Sequence, residues 1–490
     1  MGTAMRSDEP MSSTSQAPCV LRWVLGVLSV AMLGACASPA PPASTAVPAP
    51  DLPPAWSRAP SADHSPVTPA AQGRAEPSAD WWRLHQDPLL SALVDEALAA
   101  NADLRRARAA LAQARALRDV AAAGQSLQLG GSASASRNRS AGSSANSLRA
   151  GLDASWEADL FGANASATAA AQAQADASAA SLAAVRQSVA AEVGLAYLQW
   201  MGTRQQLAIA EAGLASQAET RQLAQWRLQA GLATVLDTAQ ADSTVEQTRA
   251  RLAALRTTQA QTGHRLSVLL GQAPGALSAR LAAAAQSPTL PPLPSVGLPA
   301  DLLRRRPDLV AAEWRVQAAA ATLAQREAER LPRVDLGGTL ALAARTLSGL
   351  TTGGAVAASL AASVNWPLLD GGAARARAGA QAAALDGARA DYEAAVLVAL
   401  QDVEDALAAL DHGRAQEASL VAAAAAAREV QALDTLRHRA GLVDVATLLE
   451  AQRTALSADE ALASARNSLA QQQIRLYKAL GGGWPAEPAP

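Results

Sequence analysis

The side chains able to do covalent, acid-base or metal chemistry are few and badly placed for it. Two cysteines, Cys19 and Cys36, and five histidines, His64, His85, His264, His412 and His438, are scattered over 490 residues with no partner at ligand spacing. No metal is expected, and the histidines read as surface residues. No nucleophile stands beside a base and an orienting third group. Gly481-Gly482-Gly483 has no helix after it, so it reads as a terminator and not as a phosphate cradle. Beyond the first 36 residues the only methionine is Met201, which disfavours export of soft monovalent metals such as copper or silver. These residues predict no enzyme and no cofactor.

Cys36 is the exception. Arg22 precedes an apolar run of eleven residues, Trp23 to Leu33, and Leu33-Gly34-Ala35-Cys36 follows. A spanning helix needs about 20 residues, so the run reads as the core of a secretory signal within residues 1–36. The small pair before the thiol resembles a bacterial lipobox, in which the cysteine takes the lipid; a free cysteine beside an ordinary cleavage site is the plainer reading. An exported chain with one acylated cysteine has no disulfide to form. Residues 37–79, rich in Pro, Ala and Ser without a hydrophobic period, read as an extended tether.

The elements that follow must be mostly helical. Half of the chain is apolar, yet it holds one Phe and is 3% aromatic, with alanine filling the apolar quota. Alanine is the strongest helix former and lets helices approach closely, which favours long thin packing over one thick core. A net charge of −2 leaves no footprint for nucleic acid.

The chain also repeats itself at an offset near 210. Ala230-Gly231-Leu232 recurs as Ala440-Gly441-Leu442, and Leu270-Gly271 as Leu480-Gly481. The period far exceeds a solenoid unit of about 20–50 residues, so one large unit is used twice: a first repeat over 80–275, a linker over 276–297, a second repeat over 298–484 and a tail over 485–490. Each repeat holds two segments of strict alternation, near 127–136 and 148–157, then near 334–343 and 356–366. Period two places one set of side chains on each face of a strand. A soluble half-buried sheet gives the same local pattern. The flanking long helices offer no second sheet, and Trp156 and Trp366 close the second strand of each repeat where an interfacial aromatic belt would lie, so a tilted transmembrane barrel is the expectation.

Four strands cannot close a barrel alone, since the smallest single-chain barrels have about eight. An open edge in lipid leaves backbone groups unpaired, so copies must join. Long helices are expected over 164–229 and 233–270, then 373–439 and 443–480. The first spans 66 residues, roughly 100 Å at 1.5 Å each. Apolar seams such as Leu182, Val185, Val189, Val193, Ala196 and Trp200 step by three or four, as in antiparallel coiled coils. Gly231 and Gly441 end helices and define a tip.

Several motifs now carry a likeness: Trp81-Trp82 with Asp87-Pro88-Leu89-Leu90; Trp156-Glu157-Ala158-Asp159-Leu160-Phe161-Gly162; Leu298-Pro299 through Arg304-Arg305-Arg306-Pro307-Asp308-Leu309; Trp366-Pro367-Leu368-Leu369-Asp370-Gly371-Gly372; and Leu476-Tyr477-Lys478-Ala479-Leu480-Gly481-Gly482-Gly483-Trp484. The sequence resembles the TolC-type outer-membrane efflux proteins, within them the NodT-like and OprM-like lipoproteins. The resemblance implies a homotrimer pooling its strands into one twelve-stranded barrel in outer-membrane lipid, continued by an α-helical barrel in the periplasm. It implies as partners a periplasmic adaptor and a proton-driven inner-membrane transporter, and passive conduction of drugs or other toxic small molecules. It places Glu450 on an acidic ring at the periplasmic gate, with Asp237 at a similar depth, and assigns Gly231, Leu232, Gly441, Leu442, Val443 and Asp444 to adaptor docking. The plainer readings are a solvated glutamate, a surface aspartate and simple helix caps. A conduit for secreted polypeptides and a pore-less, lipid-anchored coiled-coil scaffold are the alternative functions.

Overall fold

A computed structural model describes residues 52–57, 80–140, 142–283, 299–351 and 355–482. The expected signal, Cys36 and the tail lie outside them. The chain divides into two compact units: one, of residues 120–169 and 320–383, carries the sheet, and the other, of residues 47–119, 170–319 and 384–490, carries most of the helix.

The sheet is a four-stranded antiparallel meander, β1 (Gln128–Ser140), β2 (Ser143–Ala158), β3 (Arg333–Ala344) and β4 (Val356–Asn365), in that spatial order. β1 and β4 are edges with no partner strand among the described residues. The register carries the alternation across all four strands. Leu129 lies opposite Ala154, Ala154 opposite Gly338 and Gly338 opposite Leu360, while Leu152, Leu340 and Ala358 make the next row of the same face. The other face sets Asp153 against Thr339 and Thr339 against Ser359. Ser132 donates to the Asp153 carboxylate at 2.7 Å, and Asn365 to Asp335 at 3.0 Å. Up to the row of Ala135 and Leu148 one face is therefore apolar, and the other carries the hydrogen-bonded polar side chains.

Seven helices of at least 13 residues are described: α1 (Pro88–Ala100), α2 (Ala102–Ala123), α3 (Ala163–Gln229), α4 (Val235–Leu269), α5 (Pro307–Ala328), α6 (Ala373–Arg439) and α7 (Val445–Ala479). α1, α2 and α5 are additions to the elements the sequence pattern suggests. α3 and α6 are each 67 residues long, and each is preceded by an aspartate that accepts from a free N–H of the first turn: Asp159 from Ala165 N at 2.7 Å, Asp370 from Ala374 N at 2.6 Å. None of the described helices is long and apolar enough to cross a membrane.

The largest core gathers Trp81, Trp82, Leu90, Leu93, Val189, Val193, Tyr197, Leu266, Leu270, Ile474 and Tyr477. Trp81 stacks on Tyr477, ring centroids 5.8 Å apart and planes at 12°. A Cβ on Gly194 would come within 2.9 Å of the Trp81 ring, so only glycine lets α3 pass this close. Asp87 ties the start of α1 to α3: one carboxylate oxygen accepts from Leu89 N and Leu90 N, the other from the Tyr197 hydroxyl at 2.7 Å. Burial, then that aspartate, raise the Tyr197 hydroxyl far above its ordinary range.

Two stretches read as connectors are held down. Within the tether, Trp56 packs on the cluster of Leu302, Val403, Leu407 and Leu476, and Ser57 donates its N–H and its hydroxyl to the two Glu404 oxygens, each at 2.6 Å. Within the linker, a short helix (Ser278–Ala282) buries Leu281 in the main core and pairs Arg280 with Glu96 at 2.8 Å. The buried Leu281 and the partly buried Trp56 supply the anchoring that composition alone does not reveal.

Candidate channel tip and sheet faces

The tip is built from two equivalent turns. Leu232 N donates to Arg227 O at 2.8 Å and Gly231 N to Leu228 O at 3.0 Å; Leu442 N and Gly441 N repeat this to Arg437 O and His438 O at 2.9 and 3.0 Å. This is the Schellman closure, which needs a left-handed residue. Gly231 and Gly441 supply it at φ +71° and +72°, with open space around the absent Cβ. The turns leave Leu232 and Leu442 78% and 71% exposed.

Arg227 and His438 tie the two turns together. Arg227 Nη1 lies 2.9 Å from His438 Nε2, and its Nη2 donates to His438 O at 2.9 Å. A guanidinium can only donate, so Nε2 accepts and Nδ1 carries the proton, which points at Val443 O, 3.1 Å away. His438 is 2% exposed and His85 1%, which corrects the reading of both as surface residues; His85 lies edge-on to Trp81. His264 and His412 are exposed, and His64 lies outside the described residues. A cleft of about 590 Å³ beside this tie is lined by Arg227, Leu232, Asp237, Leu442, Val443 and Asp444.

The acidic candidates part company. Asp237 is turned back into the cap of α4, accepting from Thr234 N at 2.7 Å. Asp444 caps α7, accepting from Thr447 N at 2.8 Å; the Thr447 bonds hold its carboxyl below the ordinary range. Glu450 is exposed, pairs with Arg453 one turn on, and lines a groove of about 470 Å³ with Asp434, Val430 and Thr454. Asp434, which sequence reasoning missed, is 8% exposed; it lies three residues before Arg437, its ion-pair partner at 3.4 Å.

On the sheet, Trp156 lies opposite Leu336 on the apolar face and donates its indole N–H to Gln125 O at 3.1 Å. Trp366 directly follows β4 and is 56% exposed. Among the described residues no group of His, Cys, Asp and Glu could hold a metal ion.

The family model described as "Outer membrane efflux protein" matches residues 93–272 and 298–482, one stretch for each repeat. The outer membrane protein OprJ of Pseudomonas aeruginosa is 33% identical over 422 residues, covering 84% of this chain and 88% of that one. The antibiotic efflux pump outer membrane protein ArpC of Pseudomonas putida is 30% identical over 448 residues, covering 89% and 91%. The solved structure of the outer-membrane channel OprN superposes with a TM-score of 0.79 at 34% identity, covering 89% of this chain and 98% of that one.

Proposed function

The chain belongs to the outer membrane efflux protein family, and from this we propose how an outer-membrane channel component of an efflux pump is assembled and gated here. Three copies pool their sheets, β4 of one pairing with β1 of the next, into a twelve-stranded barrel with the apolar face in lipid and the polar face on water. The observation that carries this is the sheet itself, unpaired at β1 and β4 and apolar on one side only. In hydrocarbon each unpaired backbone group costs several kcal/mol, which only closure removes. Trp156 and Trp366 sit at the helix end of the barrel as interfacial aromatics, and Cys36 carries the lipid.

The channel conducts small molecules passively and catalyses nothing; an inner-membrane transporter, proton-driven, supplies the energy. ArpC, an antibiotic pump component by name, supports drugs or similar toxic compounds as cargo. A periplasmic adaptor docks on the tip at Gly231, Leu232, Gly441, Leu442, Val443 and Asp444. Glu450 is the gate carboxylate: three copies around a narrow axis repel anions and favour cations. The capping role of Asp237 makes it the weaker gate candidate, so we assign it to shaping the turn. The full chain, purified from outer membranes in detergent, should run as a heat-modifiable trimer and conduct in a planar bilayer. A stable monomer in buffer without detergent, or trimers without conductance, would overturn the proposal.

A further inference from the structure

β1 and β2 run past the rest of the sheet. Pairing of β2 with β3 stops at Leu148 opposite Ala344, whereas β1 and β2 stay paired for four further described rows beyond Ser136. The strand ends joined to helices lie at the other end, so this overhanging hairpin is on the outer side of the barrel. The apolar face climbs through Leu129, Gly131, Ala133 and Ala135, and its next two members are Arg137 and Arg139, opposite Asn146 and Ser144. The two arginines share a face with the lipid band and stand about 7 and 14 Å above its last row, at about 3.4 Å per residue.

Both side chains are exposed, and neither has an ion pair or hydrogen bond among the described residues. No acid lies between Leu127 and Leu152, and none in the β3–β4 connection, residues 345–355. A pair of uncompensated guanidinium groups just above a hydrocarbon-facing band matches a planar fork to tetrahedral oxyanions at headgroup depth. We propose that Arg137 and Arg139 bind the phosphate groups of an anionic glycolipid in the outer leaflet. The site rests on the pooled-barrel reading above and adds to it a lipid headgroup ring, six guanidinium groups in three copies. Arg149 gives the internal control: it lies three rows below Arg137 and on the polar face, opposite Ser134 and Ala343.

The full chain is reconstituted in nanodiscs of phosphatidylcholine containing diphosphorylated lipid A, and bound lipid A is read by native mass spectrometry after detergent release. Wild type and Arg149→Gln should retain lipid A. The double variant Arg137→Gln/Arg139→Gln should retain it about tenfold less or worse, as expected for losing charge-assisted hydrogen bonds. Lysine at both positions should restore part of the binding. Undiminished retention in the double glutamine variant overturns the site, and equal loss in Arg149→Gln overturns its placement on the lipid face. Conductance and heat-modifiable trimers, measured on the same preparations, separate these outcomes from failure of the barrel: wild type lacking both removes the barrel and the site together.

Discussion

Thr234 and Asp237 cap the start of α4 reciprocally. Asp237 accepts from the Thr234 N–H at 2.7 Å and its hydroxyl at 2.9 Å, and Thr234 Oγ1 accepts from Asp237 N at 3.3 Å. At the equivalent turn the residue types are exchanged, Asp444 accepting from Thr447 N. The same job is done by either arrangement, because a helix start needs one oxygen on its free N–H groups and a second group closing back. Asp237→Ala should cost about 0.5–2 kcal/mol of local stability at the first tip turn and leave cation preference unchanged. Glu450→Ala should do the reverse, weakening cation preference in a planar bilayer while the melting curve stays put. The two variants measured side by side would show whether gate charge and tip shape reside in different acids.

Arg227 and His438 make the second tip prediction. Arg227→Ala removes two hydrogen bonds from a charged donor and leaves a buried imidazole nitrogen without its partner, a loss of about 2–4 kcal/mol in the tie between the turns. The first-repeat counterpart of His438 is Leu228, so no symmetric bond takes over. Looser tips should appear as higher resting conductance and as faster proteolysis near Gly441. His438→Asn, which keeps an acceptor on a shorter side chain, should fall between wild type and Arg227→Ala.

The legibility of this chain follows from which forces act locally. Alternation from Leu129 to Ala135 is readable because every second residue meets one solvent, and it broke down in the sequence at Arg137 and Arg139 although β1 continues to Ser140. Those arginines occupy apolar-face positions beyond the band, so the period persists in geometry while the residue types change. Gly231 and Gly441 were legible as helix ends because the left-handed turn selects glycine. The burial of His438 was not, since its partner Arg227 lies 211 residues away and residue type carries no record of a contact so distant. Nor was α2 evident: only Leu104 and Ala114 are buried along its 22 residues, too few to print an apolar seam.

Leu152 and Asp153 test the two faces directly. They are neighbours in β2 yet lie opposite Leu340 and Thr339 on opposite sides of the sheet. Leu152→Arg should reduce trimer yield, a basic residue on the lipid face costing about 2–4 kcal/mol near the midplane. Asp153→Arg should assemble normally and shift ion selectivity toward anions. Equal yields from the two variants would refute the facing, and a lower yield for Asp153→Arg would reverse it.

Glu460 is the acid whose titration should be visible in stability. It is 5% exposed on α7 and its ion-pair partner is Arg251 of α4. Burial raises its carboxyl above the ordinary glutamate range, and the Arg251 charge and hydrogen bond offset this only in part. A folded-state pKa above the unfolded one means that the contribution to stability is full below the ordinary glutamate range and is lost as pH rises through the raised value. Glu460→Gln mimics the protonated form and leaves Arg251, 55% exposed, able to turn to water. Its melting temperature should therefore equal or exceed that of wild type at pH 8, and the two should converge at pH values below the ordinary glutamate range. A glutamine variant that is less stable at pH 8 would mean that the ion pair outweighs the burial and that the carboxylate is a net tie between α4 and α7.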